Sequence, residues 1–376
     1  MSKSLTVYTN MPTPYQLDFF EALSKLFVLR VIYFSVRESD RQWNLPIENQ
    51  NYETVLLKDN TIASIFHKKF PSFHFSNQII NTFLSDKNQF LIVNGTYWSP
   101  NVLLLILLAK IRKKTIFFYG EALFPVKNKF QFLLKKVFLS PILLWTNGII
   151  AVGTRAMTSY RNYGYRKKIL NIPYNIDTAK FEKKNVDASK LDLLRARFAS
   201  ENKVVLLTSS SLITRKGVDI IIAAYKEASN HSSVLIIIGD GPEMQHLKQL
   251  AYGFEGIHFV GFVEKQDIPY YFLMSDVFIF ASLYDGWALV INEAIAAGLA
   301  IICSNSVGAA ADKLVHMENA FICNSGNVKE YADAIKLLTG DNSLRQKFIA
   351  EIRKLTEEIS SSYNAKKVYA IYDMDK

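Results

Sequence analysis

Three groups of side chains in this sequence have the types and spacing for chemistry. The first is Ser209-Ser-Ser211-Leu-Ile-Thr-Arg215-Lys216-Gly217, which follows an apolar strand pattern and precedes a helical one. Hydroxyls, backbone amides and two cations at a strand-to-helix turn make an anion site, because the helix start adds its dipole. An exposed basic turn is the other reading. The second is Asp285-Gly286-Trp287-Ala288-Leu289-Val290-Ile-Asn-Glu293, closing at Gly298. Amides at a helix start can meet an anion or a sugar hydroxyl, and Glu293 can accept two hydroxyls of a ribose. A capping Asp followed by an ordinary surface Glu explains the same spacing. The third is Glu121, just after the apolar run Thr115–Tyr119. It is either a proton acceptor or a helix-start carboxylate without chemistry.

The elements that must position these groups are read from periodicity. Short β-rich runs occur at Leu5–Tyr8, Val28–Phe34, Phe90–Val93, Thr115–Tyr119 and Gly148–Val152. A second series follows at Val204–Thr208, Ser233–Ile238, His258–Val260, Val277–Ala281 and Ala300–Cys303. Helical patterns such as Tyr15–Leu26 and Val218–Ala228 lie between them. This alternation predicts an α/β protein of two doubly wound, Rossmann-like domains. The strand Ser233–Ile238 leaves through Gly239-Asp-Gly-Pro242, a sharp exit with Pro suited to the first helical turn. No G-x-G-x-x-G follows a strand, so a dinucleotide fingerprint is absent.

Pro173 and the neighbouring Asn residues place a linker near 172–178, before a charged, solvated stretch Lys180–Ser200. The predicted domains are 1–172 and 173–355. A last helical region, Asn342–Asp373, leaves residues 356–376 as a helix that crosses back to the first domain.

The chain has 376 residues, with 44 Lys and Arg against 34 Asp and Glu, and 49% hydrophobic residues. That apolar fraction excludes disorder. The two Cys, Cys303 and Cys323, sit in apolar strand-like segments and exclude a disulfide scaffold. The net charge of +10 is unevenly placed: residues 1–172 carry 22 basic and 9 acidic residues, whereas 173–376 carry 22 and 25. The basic half points to an anionic surface, either nucleic acid or a membrane leaflet. The N-terminus reads as a strand rather than a signal peptide, and no apolar run reaches about 18 residues, so a cytoplasmic protein is expected.

The order of further motifs carries a family resemblance. Asn175-Ile-Asp177, Lys216-Gly217, Gly239-Asp-Gly-Pro242, Phe259-Val-Gly-Phe262, Ser275-Asp-Val-Phe278, Asp285-x7-Glu293-Ala and Ala297-Gly298 occur in sequence over residues 172–325. In this arrangement the chain resembles the C-terminal half of family 4 retaining glycosyltransferases of the GT-B fold. Pro12-Thr-Pro14-Tyr15-Gln resembles the family's first loop, near the phosphate. Ala151-Val-Gly-Thr, preceding Ile172-Pro-Tyr-Asn, resembles its last N-terminal unit.

That resemblance implies two domains facing across a cleft and transfer of a sugar from a nucleotide diphosphate donor with retention. It implies Lys216 at the diphosphate, Glu293 at the ribose, and Asp285 with the Gly286–Leu289 backbone at the donor sugar. The strip Gly261, Phe262 and Val263 would pack on the base. The sequence departs from the family in three places. Asp285 stands where a Glu is usual, Ser211 replaces an Arg so that either Arg215 supplies the charge or Lys216 and amides alone hold the phosphates, and Glu121 stands near where many relatives have a His. Asp285 and Glu121 are the catalytic candidates, with Glu121 the group best placed to orient an acceptor hydroxyl or accept its proton. No metal and no cofactor are expected: the only D-x-D is Asp373-Met-Asp375, in the tail.

The expected partners are a UDP-sugar first and a GDP-sugar second, a saccharide or lipid-linked acceptor, and an anionic membrane surface, with no nucleic acid. The surface is assigned to the cationic, apolar stretch Lys127–Leu139 and to Phe66–Phe75, where His67 and His74 face acceptor or membrane. Packing of these residues on the first sheet is the alternative. A nucleic-acid binder would leave Lys216, Asp285 and Glu293 unexplained. A sugar-nucleotide epimerase or an inactive GT-B relative is the remaining rival.

Overall fold

The structure, a computed structural model, describes residues 3–35, 50–58, 60, 66, 73–126, 128–198, 203–228 and 232–374. The chain divides into two compact units, Met1–Asn175 with Ser361–Lys376, and Ile176–Ser360. The divisions at 175/176 and 360/361 stand beside the 172/173 and 355/356 read from sequence.

Unit 1 holds a seven-stranded sheet of β1 (Ser4–Thr9), β2 (Val28–Tyr33), β3 (Glu53–Leu56), β4 (Phe90–Asn94), β5 (Thr115–Gly120), β6 (Gly148–Ala151) and β7 (Lys168–Asn171). Their order is β3-β2-β1-β4-β5-β6-β7, and every pairing is parallel. Unit 2 holds β8 (Val204–Ser209), β9 (Ser233–Ile238), β10 (Ile257–Gly261), β11 (Val277–Phe280), β12 (Ala300–Ser304) and β13 (Ala320–Cys323). Its order is β10-β9-β8-β11-β12-β13, again all parallel.

Sequence explains these sheets. The central strands are unbroken Val/Ile/Leu/Phe runs such as Ser233-Val-Leu-Ile-Ile-Ile238, buried at every residue because helices cover both faces. In each unit the strand order reverses at one point, between β1 and β4 and between β8 and β11. Loops leaving the carboxyl ends of such neighbours diverge and open a crevice, the usual ligand site of an open parallel sheet.

Three elements differ from expectation. The stretch 180–200 is largely solvent-exposed, as expected, but it also contains a helix not picked out from the pattern, Ala188–Phe198, anchored by Leu191 and by Arg195, which bonds the Asp276 carboxylate at 3.2 Å. The region Asn342–Asp373 is two helices, Asn342–Arg353 and Ser361–Met374. The edge strands β3 and β7 were not visible in the pattern, being four residues each and only partly buried.

The helix Ser361–Met374 belongs to unit 1. Tyr372 packs against Phe27 and Phe90 with centroids 5.6 and 5.2 Å apart, and Lys3 lies over the Tyr369 ring while pairing with Asp373 at 2.5 Å. Asp373, half of the only D-x-D, is thus a structural ion-pair partner; Asp375 lies outside the described residues. Cys303 and Cys323 are buried and are not joined in a disulfide.

Candidate functional site

The crevice of unit 2 is built from the ends of β8 and β11. After β8 the chain turns through Ser210–Ile213 into a short 3₁₀ turn, Thr214–Lys216, closed by Gly217 at φ 65°. A Cβ on Gly217 would stand 2.3 Å from the Ala281 carbonyl oxygen, so only glycine lets this turn lie against the loop after β11. Hydrogen bonds seal the approach. Leu283 N donates to the Arg215 carbonyl at 2.9 Å, and Ser282 Oγ donates to the carbonyls of Arg215 and Tyr284 at 3.1 and 3.0 Å.

This approach joins side chains 69 residues apart. Lys216 Nζ lies 2.5 Å from Asp285 Oδ2, and Arg215 donates to the Tyr284 carbonyl at 2.5 Å while standing 3.7 Å from the same carboxylate oxygen. The Lys216 and Asp285 side chains are 16% and 14% exposed, so solvent screens them only in part. The Lys216 ammonium also lies 5.1 Å from the Phe280 ring centroid. Asp285 accepts from Trp287 N at 3.3 Å through Oδ1.

The 285–288 loop is held from a third side by the segment after β12. Asp285 N donates to the Ser306 carbonyl, Gly308 N to the Asp285 carbonyl, and Ala309 N to the Trp287 carbonyl, at 3.3, 3.0 and 2.8 Å. A Cβ on Gly308 would meet the Gly286 oxygen at 1.9 Å. Ala288 opens the following helix, Leu289–Ala297, with φ 67°, a left-handed conformation that costs a non-glycine residue about 1–2 kcal/mol. The loop is therefore clamped in an unusual backbone shape, with Trp287 and Ala288 buried and Gly286, Leu289 and Val290 half-buried. Glu293 is half-buried and lies in the second turn of that helix.

The sequence-predicted donor residues thus separate into groups. Ser211, Arg215, Lys216, Asp285 and Gly286–Val290 belong to the turns at one crevice. Gly261, at φ 85°, ends β10, and Phe262 beside it is 59% exposed, an open aromatic face preceding the half-buried Val263. Ser282, Ser306 and Gly308, which hold the loop, were missed. The Gly-Ala-Ala-Ala run after a strand was their only sequence signal.

Unit 1 has its own polar cluster at its switch point. Gln16 Nε2 donates to Thr9 Oγ1 at 3.0 Å and to Asn94 Oδ1 at 3.4 Å, and Asn94 Nδ2 donates to the Tyr119 carbonyl at 3.2 Å. Beside it Tyr174 donates to Glu121 Oε1 at 2.5 Å, and the Tyr174 ring lies 4.8 Å from that of Tyr15 and 6.0 Å from that of Tyr119. Burial first, then the Glu121 carboxylate, holds the Tyr174 hydroxyl well above its usual pKa, so it remains a donor. Pro14 begins the adjoining helix Pro14–Ser24. Glu121, Pro14 and Tyr15 therefore share one end of unit 1, although Thr9, Gln16 and Asn94 had not been singled out.

His74 does not face acceptor or membrane: it is fully buried, 6.3 Å from the Phe34 ring, and its carbonyl accepts from Ser99 Oγ. His67 lies outside the described residues. Among the described residues no group of three or more His, Cys, Asp or Glu is placed to hold a metal ion.

Comparison with known proteins agrees with this architecture. Residues 192–355 match the family Glycosyl transferases group 1. An uncharacterized glycosyltransferase of Haemophilus influenzae is 28% identical over 161 residues, 42% of this chain and 45% of that protein. The GDP-mannose-dependent alpha-(1-6)-phosphatidylinositol monomannoside mannosyltransferase of Mycobacterium tuberculosis is 26% identical over 191 residues, 48% of this chain and 49% of that one. The matched stretch spans about half the length of these relatives. The crystal structure of HepE of Anabaena in complex with UDP superposes with a TM-score of 0.78 at 16% identity, covering 99% of this chain and all of that one. The fold is therefore GT-B, and residues 192–355 are similar to the group 1 glycosyltransferases.

Proposed function

We propose that this protein is a retaining glycosyltransferase that moves a hexosyl group from a nucleotide diphosphate sugar to a saccharide or lipid-linked saccharide of a cell-surface polysaccharide. A UDP-sugar is the first candidate donor and a GDP-sugar the second. The observation that carries this reading is the convergence of Arg215, Lys216 and Asp285 at the β8/β11 crevice, inside the segment matched to the family.

In this reading the diphosphate takes Lys216 and Arg215, Asp285 and the amides of the Gly286–Val290 loop take the sugar, and Glu293 takes the ribose. Phe262, with Gly261 and Val263, offers its open face to the base. As the glycosidic bond breaks, negative charge grows on the diphosphate. A fixed ammonium and helix-start amides then gain more in the transition state than in the ground state, which is the condition for catalysis. The clamped loop needs little rearrangement to provide those amides. Charge stabilisation is assigned to these groups rather than to a metal. Glu121, with one oxygen fixed by Tyr174, is assigned to the acceptor hydroxyl from its place after β5, where many relatives have a His.

A thermal-shift screen of UDP-, GDP- and ADP-sugars, followed by release of labelled sugar, tests the reading. A ligand at 100 times its Kd stabilises by about 2.7 kcal/mol. No shift and no sugar release with any of the donors would reject it.

A further inference from the structure

The helix Lys129–Trp145 of unit 1 has its polarity inverted, a lysine facing inward and apolar side chains facing out. Its inward stripe contains Lys135, 9% exposed, whose ammonium donates to the Phe124 carbonyl at 2.7 Å and lies 5.4 and 5.7 Å from the Tyr97 and Tyr163 ring centroids. Burial lowers the pKa of that ammonium. The outward face instead carries Phe130, Leu133, Val137 and Leu144, which are 75, 60, 60 and 63% exposed. Leu134 and Phe138, 49 and 44% exposed, continue it. An isolated exposed leucine is ordinary, whereas an apolar face of this length on one helix marks a surface that another apolar phase covers.

Charge selects the occupant. Residues 107–145 contain eight Lys or Arg and one acidic residue, Glu121. A second copy meeting this face would set those cations against each other. A nucleic acid would use the cations but leave the leucines and phenylalanines in water. An anionic bilayer satisfies both, with apolar side chains below the headgroups and Lys129 and Lys136 among them. At 17 residues the helix is about 25 Å long and carries Pro141; no described helix is long and apolar enough to cross a membrane.

We infer that the outward face of Lys129–Trp145 is a docking surface for the surface of an anionic phospholipid bilayer. This deepens the reading of a lipid-linked acceptor and rests on it for its biological sense, but the binding itself does not require sugar transfer.

The full chain is tested by sedimentation with vesicles of phosphatidylcholine alone or mixed equally with phosphatidylglycerol, alongside gel filtration. The wild type is expected to sediment with the anionic vesicles in low salt and not with the neutral ones. Leu133→Glu with Val137→Glu should abolish sedimentation, and Lys129→Gln with Lys136→Gln should weaken it roughly 30-fold, since each Lys near such a surface contributes roughly fivefold. The second pair keeps the test open should the first fail to fold. Donor-induced thermal shifts should be unchanged in both, which separates failure of docking from failure of the proposed transfer. A wild type that stays in solution with anionic vesicles, apolar-face variants that still sediment, or a dimer that Leu133→Glu and Val137→Glu convert to monomer would each overturn the inference.

Discussion

Replacing Asp285 by Asn should move nucleotide binding and sugar transfer in opposite directions. Asn keeps the size of Asp and the oxygen that accepts from Trp287 N, so the loop should survive. What changes is the charge 2.5 Å from Lys216. A phosphate oxygen taking the same ammonium would stand about 5 Å from that carboxylate. At an effective dielectric near 20, two unit charges at that distance repel by about 3 kcal/mol. Partial exposure and salt reduce this, so UDP or GDP without a sugar should bind Asp285→Asn roughly 10- to 100-fold more tightly than wild type. Loss of the ion pair should lower folding stability by about 1.5–3 kcal/mol. Turnover should fall by roughly 10²-fold, because the charged contact to the sugar is lost. Calorimetry of nucleoside diphosphate binding, with turnover of the identified donor, reads both quantities. Unchanged or weaker UDP and GDP binding in a folded Asp285→Asn would refute the placement of the diphosphate at Lys216.

Lys216→Ala should lower turnover by roughly 10²- to 10³-fold, the scale of losing one charge-stabilising donor; near-normal turnover in a folded variant would remove Lys216 from the mechanism. Gly308→Ala places a methyl 1.9 Å from the Gly286 oxygen, so the unfolding midpoint should fall by the equivalent of about 1–3 kcal/mol or more, with loss of donor-induced stabilisation. Exhaustive chelation should leave turnover within about twofold, since the proposed charge stabilisation uses Lys216 and amides; loss restored by a divalent ion would show that a metal is needed.

Much of this was legible because parallel sheets write continuous apolar runs. The central strands were located to within a residue or two, since a strand covered on both faces has no polar alternation to obscure it. Edge strands β3 and β7 were not, because Glu53-Thr-Val-Leu and Lys168-Ile-Leu-Asn are half-exposed and mix charge with apolar residues. The chemical types at Lys216 and Asp285 were readable, and doubly wound topology brings the ends of their strands together. That they form an ion pair depends on how closely Gly217 lets two turns approach, which no spacing rule expresses. The helix Lys129–Trp145 shows the opposite failure. Its cationic and apolar residues were evident, but only packing reveals that Lys135 points inward while Phe130 and Leu133 point out. His74 was misjudged for the same reason, its basic, aromatic neighbourhood concealing a fully buried ring.

The helix Ser361–Met374 also has a temporal meaning. It seals Phe27 and Phe90 of unit 1, yet it is encoded after the whole of Ile176–Ser360. At about 5–20 residues per second, a ribosome spends roughly 10–40 s making that intervening unit. Throughout this interval the first sheet is complete in strands but open along one flank, with aromatic side chains unsealed. Unit 2 has no such dependence and can fold as it emerges. The order of synthesis therefore runs counter to the order of closure, and until the helix Ser361–Met374 arrives Phe27 and Phe90 lack the aromatic side chains that cover them.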